Sequence, residues 1–275
     1  MTSIVVQAED GGRFRALLEL PADGAEVPDR AETAGAPADV LILPDGRGLD
    51  EEYGRLARRF AAAGSRAMVI DLYGRTAGTG AREGNFLSRN HSAALRWATV
   101  RLDVDAAVNR LRDLPDRHPV VAVGFCLGGR VALLAATRRR RSLAGVVAFY
   151  PQTRGPARSD LPAPDTLVEM LRCPVLSLFG GADDLIGTDE IRAWRAELAV
   201  APVPGEVVVY PGMPHSFFDR RAAEFPVETA DAWNRVTRFL RSVAVSAPAA
   251  AAGSPSRTPS GNAPGQDPGR GTPGG

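Results

Sequence analysis

The 275-residue sequence contains no lysine, and it has only two cysteines and three histidines. The cysteines, Cys126 and Cys173, are too few for a disulfide framework. The 33 basic side chains are all arginines, and 32 acidic side chains balance them. This balance argues against a protein whose general partner is nucleic acid.

Long apolar runs are also missing. No stretch approaches the roughly 18 apolar residues of a membrane-spanning helix, and the first residues, MTSIVVQAEDGG, lack the charged-then-apolar pattern of a secretory signal. We therefore expect no membrane partner and a cytoplasmic location, where both cysteines stay as free thiols.

The end of the chain differs in composition from the rest. Residues 246–275 are rich in proline and glycine and contain no Leu, Ile, Val or Phe. Such a segment cannot bury enough apolar surface to offset the entropy lost on ordering. We expect one folded domain over residues 1–245 and a disordered tail over 246–275.

Short apolar runs alternate with amphipathic segments along the domain. The runs are SIVVQ, RFRALLEL, DVLILP, RAMVID, VVAVGF, AGVVAFY, PVLSLF and EVVVYP. The first two flank a hairpin signal at residues 9–12, and the last six are as apolar as strands buried on both faces. Helical patterns cover residues 51–63, about 102–114, 128–138, 188–198 and 223–243. The alternation predicts an α/β fold with an N-terminal antiparallel hairpin and a mostly parallel sheet with helices on both faces.

Cys126 lies where the fifth run ends, in the sequence Gly124-Phe125-Cys126-Leu127-Gly128. This pattern resembles the nucleophile elbow of α/β-hydrolases, with cysteine in the place of serine. The tight turn needs small neighbours, and the start of the following helix favours a negatively charged thiolate. An inert buried cysteine would explain the apolar neighbours but not the glycines on both sides. We interpret Cys126 as a nucleophile.

Cys173, in LRCPVL, has no such context, and we expect it to be structural.

A thiol nucleophile needs a base. His118 precedes the strand that ends at Cys126, so it is expected at the opposite edge of the sheet. His91 also precedes Cys126, against the usual chain order of nucleophile, acid and histidine. His215 follows the last strand, at the edge where ligands bind in open α/β sheets, and is therefore the expected base.

The base needs a carboxylate that orients it. Asp183 and Asp184 are adjacent in GGADDLI, after the seventh run. Either aspartate could serve only in a turn or a helix cap. Their position between Cys126 and His215 makes one of them the expected acid, and the residues alone do not choose between the two.

The segments GFCLGG, GGADDLI, PGMPHSFF and IDLYGR together resemble the dienelactone hydrolase family over about residues 3–243. The resemblance implies an α/β-hydrolase fold without a separate cap domain, and hydrolysis of small carboxylic esters or lactones. It implies a triad of Cys126, Asp183 and His215, with no metal and no organic cofactor. Asp183 is preferred because it takes the family's position, two residues before the apolar pair Leu185-Ile186.

The resemblance implies further site residues. The backbone N–H groups of Leu127 and Gly46 would stabilise the oxyanion. Asp45 matches an acidic residue that holds the resting thiol and releases it when substrate arrives. The family's reference enzyme has the longer glutamate there, so Asp45 could instead be only a turn residue at a strand end.

One position departs from the family. Four residues after the catalytic histidine, where the dienelactone enzyme has a carboxylate-binding arginine, this chain has Asp219, followed by Arg220 and Arg221. Arg47 and Arg82 are the candidates to bind a substrate carboxylate instead.

Two functions are open at this point. The first is a hydrolase that forms an acyl-thioenzyme on its triad. The second is a non-catalytic α/β-hydrolase relative that binds a small ligand or senses electrophiles through its cysteine. The complete set of nucleophile, acid and base favours the first. The expected partner is a small-molecule ester or lactone, and the expected state is a monomer or small homo-oligomer.

Overall fold

The computed structural model describes residues 1–22, 38–82, 86–139, 143–157 and 159–246. The expected disordered tail lies outside the described residues, apart from Ser246, which ends the last helix.

A single eight-stranded sheet runs through the described residues. Its strands are β1 (Thr2–Gln7), β2 (Arg13–Glu19), β3 (Asp39–Leu43), β4 (Ala67–Ile70), β5 (Val120–Phe125), β6 (Gly145–Phe149), β7 (Val175–Gly180) and β8 (Gly205–Tyr210). They are arranged in the order β1-β2-β4-β3-β5-β6-β7-β8. β2 pairs antiparallel with both β1 and β4, and every later pairing is parallel. The predicted hairpin and mostly parallel sheet are confirmed.

The helices are α1 (Glu51–Ala62), α2 (Gly74–Ala77), α3 (Ser88–Ala93), α4 (Trp97–Arg112), α5 (Leu127–Ala135), α6 (Thr188–Ala199) and α7 (Pro226–Ser246), and a 3-10 helix covers Pro164–Met170. The five predicted helices are present. α4 begins at Trp97 rather than near Leu102, and the short α2 and α3 were not predicted.

The helices lie in two layers against the sheet. α1 and α7 share one face, where the rings of Phe60 and Trp233 lie 4.8 Å apart. α4 and α5 pack on each other against the other face. Every residue of β3, β4, β5, β6 and β7 is buried between the layers, which is why these strands are almost continuously apolar. The α/β-hydrolase fold expected from the sequence is confirmed.

The parallel strands bring their carboxyl ends to one edge of the sheet. The first residues beyond β3, β5, β6, β7 and β8 therefore lie near one another, as in the ligand sites of other open α/β sheets. Within the described part of the chain, no helix is both long and apolar enough to cross a lipid bilayer.

Candidate active site

Cys126 occupies a sharp turn between β5 and α5. Its backbone has φ 52° and ψ −111°, a left-handed conformation that non-glycine residues seldom adopt. Two hydrogen bonds hold this conformation: the Cys126 N–H donates to Phe149 O at 3.0 Å, and Arg130 N–H donates to Cys126 O at 3.1 Å. Backbone strain of this kind is found where a structure holds a functional side chain in place. The thiol is half-buried and forms no disulfide.

Glycines let the elbow pack against the sheet. A Cβ on Gly124 would lie 2.1 Å from the carbonyl oxygen of Gly128, and a Cβ on Gly128 would lie 2.0 Å from the carbonyl oxygen of Leu43. The start of α5 therefore touches the end of β3. This contact places Leu127, at the start of α5, near the segment after β3 that contains Gly46.

We expect Gly128→Ala to lower the free energy of unfolding by on the order of 3 kcal/mol, because the new methyl group meets backbone that cannot move aside. Chemical denaturation of the purified variant measures the effect. Gly80→Ala is the matched control, since an added Cβ there meets nothing within 4 Å. Equal stability of the two variants would contradict this packing.

Asp183 follows β7, and its side chain is fully buried. Its Oδ1 accepts the backbone N–H groups of Leu185 at 2.8 Å and Ile186 at 3.2 Å. Its Oδ2 lies 2.7 Å from Nδ1 of His215. The neighbouring Asp184 is exposed to solvent. The structure therefore brings Asp183, rather than Asp184, to the histidine.

His215 lies on the loop after β8. Burial disfavours a charged ring, but hydrogen bonding and electrostatic attraction from Asp183 and Cys126 outweigh it and raise the pKa of His215 from 6.5 to about 10. The other ring nitrogen, Nε2, is buried and has no well-aligned hydrogen-bond partner among the described residues. With Nδ1 committed to Asp183, Nε2 is the nitrogen available to the thiol and to substrate.

The other two histidines are bound to groups other than Asp183. His118 precedes β5 at the amino ends of the strands, where its Nδ1 is 3.2 Å from Oδ1 of Asp39. His91 lies on α3, stacked on Phe86 with ring centroids 4.8 Å apart, and its Nδ1 is 2.9 Å from Thr76 Oγ1.

The two expected oxyanion donors lie on adjoining segments. Leu127 is the first residue of α5, so its N–H has no acceptor within the helix. Gly46 follows β3 and is half-buried. Its carbonyl oxygen accepts the hydroxyl of Tyr73 at 2.8 Å, which ties this loop to the segment after β4. Burial raises the pKa of Tyr73, which therefore stays a neutral donor.

Asp45 is bound to an arginine rather than to the thiol. Arg220 donates to both carboxylate oxygens of Asp45, each at 3.1 Å, and to Asp50 at 2.5 Å. Asp45 also accepts the backbone N–H of Arg47 at 2.9 Å. Among the described residues no hydrogen bond joins Asp45 to Cys126.

The two candidate carboxylate-binding arginines differ. Arg82 forms an ion pair with Asp71 and donates to the carbonyl groups of Ala77, Gly78 and Gly80. Arg47 is exposed to solvent. Arg47 is therefore the candidate whose guanidinium is open to an incoming anion.

Three residues that the sequence analysis did not place in the site lie close to it. Tyr150 follows β6, and its ring centroid is 4.8 Å from that of His215. The hydroxyl of Tyr53, on α1, accepts the backbone N–H of Asp45 at 3.0 Å. Both tyrosines donate to Asp219. An aromatic residue directly after a buried strand was the only signal for Tyr150, and nothing in the sequence linked Tyr53 to Asp219.

No group of three or more metal-ligating side chains occurs in the described ranges.

The chain is similar to known proteins along most of its length. The model of the Dienelactone hydrolase family matches residues 28–244. A protein of Escherichia coli O157:H7 named "Putative carboxymethylenebutenolidase" is 28% identical over 256 residues, which cover 88% of this chain and 92% of that protein. The carboxymethylenebutenolidase of Rhodococcus opacus is 28% identical over 215 residues, which cover 75% of this chain and 81% of that protein. A crystal structure from Klebsiella pneumoniae named "Putative Dienelactone Hydrolase" has a TM-score of 0.69 and 26% identity, and covers 87% of this chain and 99% of its own.

Proposed function

The chain belongs to the dienelactone hydrolase family and is a hydrolase of carboxylic esters or lactones, and we propose that it works through an acyl-thioenzyme on Cys126 with Asp183 and His215. The observation that carries the proposal is the 2.7 Å contact between His215 and Asp183, at the sheet edge where Cys126 is held in a left-handed turn. A thiol, an acid and a base at one edge are the parts that nucleophilic catalysis needs.

In the first half of the reaction the Cys126 thiolate attacks the carbonyl carbon. A carbon–sulfur bond forms, and the carbonyl electron pair moves to oxygen, where the N–H groups of Leu127 and Gly46 stabilise the charge. Because the pKa of His215 is raised to about 10, the ring carries a proton at neutral pH. It passes that proton from Nε2 to the departing alkoxide as the carbon–oxygen bond breaks.

In the second half, neutral His215 takes a proton from water. The resulting hydroxide attacks the thioester carbonyl, the carbon–sulfur bond breaks, and the thiolate leaves beside the reprotonated imidazole. The products are a carboxylic acid and an alcohol, or one hydroxy acid from a lactone. Asp183 holds the ring in the tautomer that keeps Nε2 directed at the reaction, and it stabilises the imidazolium.

Turnover of a generic aryl ester such as p-nitrophenyl acetate by the purified protein tests the proposal. Many molecules of nitrophenolate released per chain support the hydrolase. Release of a single molecule per chain, with a lasting acyl group on Cys126, supports instead a protein that captures electrophiles through its cysteine.

We expect the substrate to be neutral. Asp219 takes the position of the carboxylate-binding arginine and adds no positive charge there, and the arginine next to it is neutralised by Asp45 and Asp50. A dienelactone with a free carboxylate should therefore differ from its methyl ester by no more than about threefold in kcat/KM.

Measuring both substrates at low and high salt checks this prediction. A strong preference for the acid that fades with salt would contradict it. If Arg47→Ala also removed that preference, Arg47 would be the residue that binds the carboxylate.

We propose a cytoplasmic site of action for this chain. The two cysteines of the described structure are unpaired, as thiols are in a reducing compartment. The proposed site is built from one chain, so monomers and small homo-oligomers would both be competent.

A further inference from the structure

Asp219 is a buried carboxylate beside the candidate active site. It lies four residues after His215 in the chain and is only 6% exposed. Its two oxygens bind two tyrosines: Oδ1 accepts the hydroxyl of Tyr150 at 2.5 Å, and Oδ2 accepts the hydroxyl of Tyr53 at 2.9 Å. Asp219 is therefore part of a buried hydrogen-bond network and is not a surface residue.

Each tyrosine leads to a different part of the site. The ring of Tyr150 packs on the His215 ring with centroids 4.8 Å apart. The hydroxyl of Tyr53 accepts the backbone N–H of Asp45, the residue before Gly46. Asp219 therefore links Tyr150, which packs on the proposed base, to the loop that contains Gly46.

The tyrosine hydroxyls stay protonated as donors. Burial raises the pKa of both Tyr53 and Tyr150, and the charge of Asp219 raises each further. Burial also raises the pKa of Asp219, against the hydrogen bonds from the tyrosines. Removing one partner would leave a buried polar group unsatisfied, so the three side chains act as a unit.

Tyr150 itself is held in an unusual conformation. Its φ is +37°, and its backbone N–H donates to Leu178 O at 2.7 Å. A bulky residue at positive φ persists only where the surrounding contacts determine it. The hydroxyl bond to Asp219 is one of those contacts.

We propose that Asp219 is a positioning residue for hydrolysis, which acts through Tyr150 on His215 and through Tyr53 on the Asp45–Gly46 loop. This inference rests on the proposed chemistry of Cys126, Asp183 and His215. Asp219 is not hydrogen-bonded to the imidazole: Nδ1 is bound by Asp183, and Nε2 has no well-aligned partner among the described residues. The loop after His215 contacts Asp45 in two ways. Arg220 binds the side chain of Asp45. Asp219 binds Tyr53, whose hydroxyl accepts the backbone N–H of Asp45.

The test uses three conservative variants that remove one hydrogen-bonding function each: Tyr150→Phe, Tyr53→Phe and Asp219→Asn. We expect each to lower kcat by about 10- to 100-fold and to change KM by less than about threefold, because the reacting groups lose alignment while the substrate pocket is kept. The double variant Tyr53→Phe/Tyr150→Phe should lose less than the product of the single losses, as members of one network do.

The matched control is Asp231→Asn. Asp231 also accepts a tyrosine hydroxyl, from Tyr210 at 2.8 Å, but on the partly exposed helix α7. It should leave both kcat and KM unchanged. If Asp219→Asn does not fold, the two phenylalanine variants, which keep their rings, still test the proposal.

A second readout separates positioning from stability. Iodoacetamide alkylation of Cys126 is followed against pH in a Cys173→Ala background. The groups that face His215 are Asp183, Cys126 and the ring of Tyr150. A displaced imidazole supports the thiolate less well, so alkylation near neutral pH should slow in the Tyr150→Phe variant.

Variants that melt earlier but keep wild-type kcat and an unchanged alkylation profile would overturn the proposal and leave Asp219 a structural residue. Steady-state kinetics of Cys126→Ala distinguish a failure of the proposed function from a failure of the proposed role of Asp219. If Cys126→Ala still turns over, the proposed function fails. If Cys126 is essential and the three variants are silent, only the role of Asp219 fails.

Discussion

We expect Cys126→Ala to abolish hydrolysis of aryl esters and lactones and to leave the fold intact. The thiol sulfur is the atom that bonds to the acyl group in the proposed reaction, and an alanine side chain has no nucleophilic atom. Alanine keeps a Cβ at the same left-handed backbone position, so the turn is neither relieved nor strained further. Steady-state kinetics and a thermal melt of the same sample measure both parts of this expectation.

Cys126→Ser should also be severely impaired. A hydroxyl gives up its proton far less readily than a thiol, and the site's acid and base are arranged for a thiolate. Cys173→Ala is the matched control, because Cys173 is buried and burial raises the pKa of its thiol to about 12. Turnover that survives Cys126→Ala would remove the thiol from the mechanism.

We expect His215→Ala and Asp183→Asn each to lower kcat by orders of magnitude, about 10⁴-fold for Asp183→Asn. An asparagine amide at this position can donate to Nδ1 and so favours the wrong tautomer of the ring. Asp184→Asn is the control: its side chain is exposed, and we expect less than about a twofold change. Greater sensitivity of Asp184 than of Asp183 would show that the neighbouring carboxylate is the acid.

The contact between His215 and Asp183 also contributes to the free energy of unfolding, and this contribution depends on pH. The pKa of His215 is raised from 6.5 to about 10 in the folded chain. The resulting stabilisation is fully present below pH 6.5 and is lost as the pH rises toward 10. The difference in melting temperature between the wild type and Asp183→Asn should therefore be largest below pH 6.5 and shrink above it.

Much of the fold was predictable because its signals are local. Eight apolar runs gave eight strands, and α1 and α6 begin at the residues the pattern indicates. The four-residue α2 and the six-residue α3 are too short for a helical period to be visible. The position of β4 between β2 and β3 depends on tertiary packing, and no local pattern specifies it.

Residues of the candidate site could be predicted where a local motif marks them, but contacts between residues distant in the chain could not. Cys126, Asp183 and His215 each follow a strand and are marked by their own sequence context. Asp45 and Arg220 are 175 residues apart, and their ion pair has no local signal. Asp219 lies in a charged segment, SFFDRR, which is typical of a surface, yet the two tyrosines bury it.

The order of the strands has a consequence for a chain that is still being synthesised. From β5 to β8 each strand lies beside the one made just before it, so a growing chain finds its pairing partner already in place. The residues of the site emerge in the same direction, first Cys126, then Asp183 and last His215. A ribosome-bound chain that ends before β8 thus carries the thiol without its base, and the proposed chemistry begins only when the final strand and its loop have docked.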